Sequence, residues 1–212
     1  FNLSETIFIQ RPENPTHTAR VRIFFPTAEL PFAGHPTIGC ALHLAGEAET
    51  LITLEEQAGL VPVTITRQDG VARAEFTAPR TPERHAPTPP QALIARALGL
   101  AATDLGPADP GVWQGGPAFL YVPLTDLAAL ATARPCEPAW SELMDAAQVD
   151  SAYLYTQTPT GYRARMFSPT AGIPEDPATG SASAILAAQL LATGALPEGT
   201  TTIPLTQGIE MG

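Results

Sequence analysis

The sequence predicts an α+β protein of two pseudo-symmetric lobes, each a barrel-like, mostly antiparallel sheet wrapped around a central apolar helix. Three observations carry that expectation. A helix-opening segment occurs twice, as Gly34-His35-Pro36-Thr37-Ile38-Gly39-Cys40-Ala41 and as Glu175-Asp176-Pro177-Ala178-Thr179-Gly180-Ser181-Ala182, with proline, glycine and alanine at matching places. Each copy leads into an uncharged, alanine-rich stretch, which is how a helix buried inside a lobe begins. Around each copy lie short runs of β-branched and aromatic residues separated by turn signals. Two such lobes would place an active site in the cleft between their helix starts.

The elements follow in chain order. Strands are expected at Glu5 to Ile9 and at Arg20 to Phe25, where Val21, Ile23 and Phe25 alternate with Arg20 and Arg22. The first buried helix runs from Pro36 to about Ala45, with Gly46 in the place that favours a left-handed cap. Strands at Thr50 to Leu54, Leu60 to Thr66 and Val71 to Thr77 are separated by Gly59 and by the hairpin signal Asp69-Gly70. These complete a first lobe spanning residues 1–80. Prolines at 79, 82, 87, 89 and 90 make residues 81–90 read as a linker.

The second lobe, 91–205, opens with a helix from Gln91 to Leu98 and turns at Gly115-Gly116 into a strand from Ala118 to Val122. Thr125-Asp126 opens a short helix, and Glu137 to Gln148 forms another. Strands follow at Ala152 to Thr156 and Tyr162 to Phe167. The second buried helix runs from Pro177 to about Ala192 and ends at Gly194, with a last strand near Thr200 to Leu205. Residues 206–212 are expected to return toward the first lobe. The chain starts at Phe1 and stops after a strand-like segment, so it reads as part of a longer protein.

Composition narrows the function. The 212 residues carry 11 Lys and Arg against 21 Asp and Glu, a formal charge of −10, which disfavours nucleic acid and anionic membranes as partners because both need a basic face. A small metabolite is the expected partner. The longest uncharged run, Pro177 to Pro197, is interrupted by polar residues and glycines and falls short of the ~20 apolar residues a bilayer requires. Cys40 and Cys136 form neither a disulfide framework nor a metal spacing, and His17, His35, His43 and His85 show no ligand pattern, so no metal is expected. Thiol usage of this kind points to a reducing, cytoplasmic setting.

The repeated helix starts can carry chemistry. A helix N-terminus presents unpaired N–H groups and the positive end of its dipole, and attracts carboxylates or developing negative charge at about 0.3–1 kcal/mol each. Pro36 and Pro177 suit a first turn, which leaves His35 and Asp176 near the N-caps. Asp there is also an ordinary structural cap. His is a weaker cap, and its place opposite the Asp favours a functional role.

Four segments resemble the PhzF-like proteins of phenazine biosynthesis: Asn2-Leu3-Ser4-Glu5-Thr6, Glu29 to Gly39 (ELPFAGHPTIG), Gly172 to Ala182 (GIPEDPATGSA) and the closing Gln207-Gly208-Ile209-Glu210-Met211-Gly212. They run in the family's order from residue 2 to 212. The resemblance implies a diaminopimelate-epimerase-like fold, a strand and helix preceding residue 2, and further chain beyond residue 212. It implies that Glu5 is a proton-transferring carboxylate and that His35, Asp176 and Ser181 hold the substrate and assist; Gly34, Thr37, Gly116, Thr179 and Gly180 are the candidate substrate-binding residues beside them. The reference reaction is isomerisation of trans-2,3-dihydro-3-hydroxyanthranilate without a cofactor, by a homodimer.

The residues agree with that chemistry. A carboxylate between Ser4 and the apolar run Ile7-Phe8-Ile9 is well placed if it faces a cleft, although a charged strand end is the plainer reading. Epimerase relatives use two cysteines, whose places here fall around Ala33 and Pro177, so two-thiol racemisation is disfavoured; Cys40 reads as a small core residue. Arg165 reads as either an anion contact or the exposed side of a strand, Gly115-Gly116-Pro117 as a cleft wall or a turn, and Trp113 and Trp140 as core. The expected function is a cofactor-independent isomerase of a small carboxylated, cyclic or conjugated metabolite. A second reading is a catalytically silent protein that binds small acids in the same fold.

Overall fold

The computed structural model describes residues 5–26, 28–47 and 50–212. The chain divides into two compact units, one reaching to Thr81 and including Gly115–Pro117, the other comprising Pro82–Gln114 and Ala118–Gly212. Each unit is built on its own mixed, mostly antiparallel sheet with an apolar helix against it.

The first unit contains β1 (Thr6–Gln10), β2 (Ala19–Phe25), β3 (Ala28–Leu30), α1 (Gly34–Leu44), β4 (Leu51–Glu56), β5 (Gly59–Gln68) and β6 (Val71–Phe76). Its sheet runs β1-β2-β4-β5-β6, with β3 also on β2, and all pairings are antiparallel except β2 with β4. Alternation decides which face is inside. Ala19, Val21 and Ile23 of β2 are buried while Arg20 and Arg22 are exposed, and Val61, Val63 and Ile65 of β5 repeat the pattern. Helix α1 packs on β1, β4, β5 and β6, burying Cys40 and Ala41 against Ile52, Leu54 and Val63. Each such aliphatic side chain contributes about 1.5–3 kcal/mol on burial. Asp69 and Gly70 both take positive φ in the β5–β6 turn, the geometry that matches strand twist. Gly46 does not adopt the expected left-handed cap; α1 ends instead on an extended Ala45 whose N–H bonds to Ala41.

The second unit contains β7 (Glu83–Ala86), α2 (Gln91–Ala97), β8 (Gly111–Gln114), β9 (Ala118–Pro123), α3 (Leu127–Thr132), α4 (Ala139–Ala147), β10 (Ala152–Thr158), β11 (Gly161–Ser168), β12 (Ile173–Asp176), α5 (Gly180–Ala192) and β13 (Leu205–Gln207). The sheet runs β12-β11-β10-β9-β8-β7, with β13 parallel to β11 and β9 parallel to β10. Both faces are covered. Helices α2, α3 and α4 bury Ile94, Leu130, Trp140 and Leu143 against Val112, Leu120 and Leu154. Helix α5 buries Ala182, Ile185 and Leu186 with Phe119, Tyr121, Tyr153 and Met166. Strands β9 and β10 therefore read as continuous apolar runs, as doubly covered strands do. Asp126 caps α3, accepting from the Ala129 N–H at 2.8 Å.

Two expectations about local structure are corrected here. Within the proline-rich stretch read as a linker, Glu83–Ala86 forms an edge strand; it contains no proline itself, and at a sheet edge half of its N–H groups need no partner. The last strand lies at Leu205–Gln207 rather than at 200–205. Residues 206–212 are held in the second unit by β13 on β11 and by an ion pair from Arg163 to Glu210 at 2.9 Å. Among the described residues, no helix is long and apolar enough to cross a membrane.

Candidate active site

The first unit supplies Glu5, Gly34, His35, Thr37 and Gly116. Glu5 stands immediately before β1 and is half-buried; the other residues of its expected segment, Asn2 to Ser4, lie outside the described residues. β1 packs on α1, so Glu5 leads into a strand lying beside the helix that carries His35. The helix begins earlier than the sequence suggests: Ala33 is the N-cap, extended and without a side-chain cap, so His35 lies inside the first turn and not at the cap. His35 is exposed, and Gly34 is buried. The Gly34 and His35 N–H groups precede the first intrahelical bond, Thr37 N–H to Ala33 O at 3.3 Å, and Pro36 has none to offer. Gly116 has φ +135°, and a Cβ there would stand 3.2 Å from Cβ of Phe32, two residues before the helix starts, so close packing requires glycine.

Thr37 is fully buried, and its hydroxyl oxygen lies 2.7 Å from the Ala33 carbonyl and 2.6 Å from Oε1 of Glu56. Its hydroxyl is thus engaged within the unit. Glu56, at the end of β4, faces the apolar side with Ile52 and Leu54; burial pushes its carboxyl up to about 7, and its Oε2 has no hydrogen-bond partner. Sequence reasoning missed it. The alternation Ile52, Leu54, Glu56 was the available signal, because it puts a carboxyl on the core face. Cys40, one turn beyond Pro36, is buried, and desolvation with the nearby Glu56 charge raises its thiol to about 11, a poor nucleophile.

The second unit supplies Asp176, Thr179, Gly180 and Ser181. Here the helix begins later than expected. Asp176 is the last residue of β12, paired with Met166, and α5 starts only at Gly180 with Thr179 as N-cap. The Thr179 hydroxyl donates to Oδ2 of Asp176 at 2.6 Å, fixing the carboxylate across the turn. Gln207 of β13 holds the same turn from outside. Its Nε2 donates to the Asp176 carbonyl at 2.7 Å and to Thr179 Oγ1 at 2.9 Å, and its Oε1 accepts from the Thr179 N–H at 3.2 Å. Tyr153, whose hydroxyl burial raises to about 12, also donates to Gln207 at 3.2 Å. Gly208, at φ +86°, lets this strand lie so close that a Cβ would stand 2.7 Å from the Pro177 carbonyl. Ser181 is nine-tenths buried in the first turn of α5, and Gly180 is exposed.

Arg165 takes neither of the two roles read from the sequence. It is buried, bidentate to Glu175 at 2.8 Å on both arms, stacked over Phe167, and donates to the carbonyls of Leu130 (2.9 Å), Ala131 (3.2 Å) and Ala133 (2.9 Å) at the end of α3. Every nitrogen is engaged, so it secures the strand beside Asp176. The structure thus brings Asp176, Thr179, Gly180 and Ser181 together in one unit and Gly34, His35 and Thr37 in the other. Among the described residues, no three His, Cys, Asp or Glu side chains converge as a metal set.

The model of a family described as phenazine biosynthesis-like protein, PhzC-PhzF, matches residues 1–212. The chain belongs to that family. Over its whole length this PhzC-PhzF protein is 39% identical to an uncharacterized isomerase of Mesorhizobium japonicum, covering 74% of it. It is 38% identical to the trans-2,3-dihydro-3-hydroxyanthranilate isomerase of Pseudomonas aeruginosa, again over its whole length and covering 73% of that enzyme. The solved structure of a predicted epimerase from Pseudomonas aeruginosa superposes with a TM-score of 0.79 at 32% identity, over 97% of this chain and 72% of that one. The fold is therefore the α+β, two-lobe fold of PhzF-like proteins, and the names of the relatives support an isomerase of the PhzF type.

Proposed function

We propose that this PhzC-PhzF protein is a cofactor-independent isomerase that moves a proton within a small carboxylated, cyclic or conjugated metabolite. Glu5 takes the proton from carbon and returns it nearby, which a single carboxylate in a partly desolvated setting can do. His35, Asp176 and Ser181 hold the substrate and assist. Gly34, Thr37, Gly116, Thr179 and Gly180 shape the surroundings, Thr37 from within the unit and not by direct contact. The uncapped N–H groups of the α1 first turn favour the negative charge that builds as the proton leaves. The working form on this reading is a cytoplasmic homodimer that binds neither nucleic acid nor membrane.

The supporting observation is the likeness, over all 212 residues and 73% of the relative, to a trans-2,3-dihydro-3-hydroxyanthranilate isomerase, with Glu5 half-buried at the head of β1. That compound is accordingly the first substrate to test. In deuterated water the protein should place solvent deuterium on the product carbon, followed by proton NMR, and Glu5→Gln should lower the rate about 10²–10⁴-fold. Binding of the acid with no exchange of hydrogen, across a panel of small conjugated acids, would replace this reading with a silent acid-binding protein.

A further inference from the structure

The contact between Thr37 and Glu56 poses a problem of proton count. The Thr37 hydroxyl has one hydrogen and two oxygens within bonding distance, the Ala33 carbonyl at 2.7 Å and Oε1 of Glu56 at 2.6 Å. A helical threonine ordinarily gives its hydrogen to the carbonyl four residues back. The short contact to Glu56 is then a hydrogen bond only if Glu56 brings a proton of its own. The rest of the surroundings agrees. Oε2 of Glu56 is buried without a partner, which a neutral acid's carbonyl oxygen tolerates and a carboxylate oxygen does not.

Among the described residues, no cation pairs with Glu56. From α1, Glu56 meets Thr37 and the thiol of Cys40, while His35 and His43 of that helix are exposed. On its own strand, Glu55 points to the opposite face, where it accepts from the Glu13 and Asn14 N–H groups and from His17. Gly59 pairs with it from β5. From β2, Arg20 and Arg22 bond to Glu13 and Glu29, and Arg80 donates through Nε to the Ala58 carbonyl. Among the described residues Glu56 makes no ion pair.

We propose that Glu56 is a positioning residue that works as a neutral acid: it donates to Thr37, Thr37 donates to the Ala33 carbonyl at the N-cap, and the pair fixes the first turn of α1, on which His35 stands. Its titration, raised by burial to about 7, means that this support is lost as pH rises from about 4.5 toward 7. The proposal rests on the reading of His35 as a substrate group for its functional meaning, but its structural claim stands alone, so it is tested without substrate.

The measurement is amide hydrogen exchange at Thr37, Ile38 and the rest of the α1 first turn, as protection factors corrected for intrinsic rates, from acid to alkaline pH. The native protein should lose protection by up to about tenfold for each pH unit between about 4.5 and about 7, and level off above that. Glu56→Gln, whose amide N–H replaces the acid proton, should hold protection level over the same range. Thr37→Val should lower it at every pH, because the hydroxyl that bridges the Ala33 carbonyl and Glu56 is gone. A native protein with constant protection would overturn the proposal, as would a Glu56→Gln variant that follows the native decline. Where turnover is available, kcat should follow the native protection profile while KM changes less; failure of turnover alone bears on the isomerase reading and leaves the exchange result intact.

Discussion

The two copies of the repeated segment share proline, glycine and alanine at matching places, yet fold differently. In the first, Gly34 to Gly39 is already helix. In the second, the corresponding residues are the end of a strand and a turn, and helix begins only at Gly180. The difference lies in who satisfies the backbone. Thr37 reaches back into its own helix and sideways to Glu56. Asp176 instead pairs with Met166 and captures the Thr179 hydroxyl, while Gln207 bonds to the Asp176 carbonyl and the Thr179 N–H, groups that a longer helix would have used itself. A proline-containing start makes a helix possible nearby; its first residue is set by whatever lies alongside.

That contrast can be attacked from its strongest support downward. Arg165 secures β12 through Glu175, so Arg165→Met should destabilise the second unit by about 3–5 kcal/mol by leaving a half-buried carboxylate and three carbonyls unpaired. Both tryptophans, Trp113 and Trp140, lie in that unit, so urea unfolding followed by fluorescence reads it directly. An unchanged midpoint would show that β12 is held without Arg165.

The first copy is tested by pH. The Glu56 carboxyl lies near 7 in the folded protein against 4.5 unpaired, so the folded form keeps its proton more tightly than the unfolded one. Stability should be complete below 4.5 and fall as pH rises to about 7, by up to about 3 kcal/mol. Calorimetry on Glu56→Gln should show that fall removed. A parallel decline in both proteins would assign it to other groups.

Gln207→Ala should cost about 1–3 kcal/mol, because it strips bonds from the Asp176 carbonyl and the Thr179 N–H together. It also sharpens the comparison. With Gln207 gone, exchange protection at Thr179 and Gly180 should fall while that at Ile38 and Gly39 stays level. Equal loss in both copies would mean that the two turns are not held independently.

Much of this architecture was legible before any coordinates. The alternation of Arg20 to Phe25, the Asp69-Gly70 hairpin, the Asp126 cap and the two apolar helices are local patterns with local causes, and each occurs close to its expected place. The site was legible as residue types and through resemblance. Its supports were less so: Arg165 could not be told from an exposed strand residue, because the carbonyls it binds come from α3, more than thirty residues earlier. Gln207 was visible only as part of a closing motif, and Glu56 only as an oddity in an apolar alternation.

The sequence by itself determined two sheets with an apolar helix apiece, the acidic surface, the duplicated helix starts and the candidate residues Glu5, His35, Asp176 and Ser181, because patterning and turn chemistry act over a few neighbouring residues. Only the tertiary structure decided where each helix begins, that a proline-flanked stretch supplies an edge strand, and which buried groups share protons with them. Those outcomes turn on satisfying backbone and carboxyl oxygens across distant segments, and nothing within a window of sequence carries the partner's position.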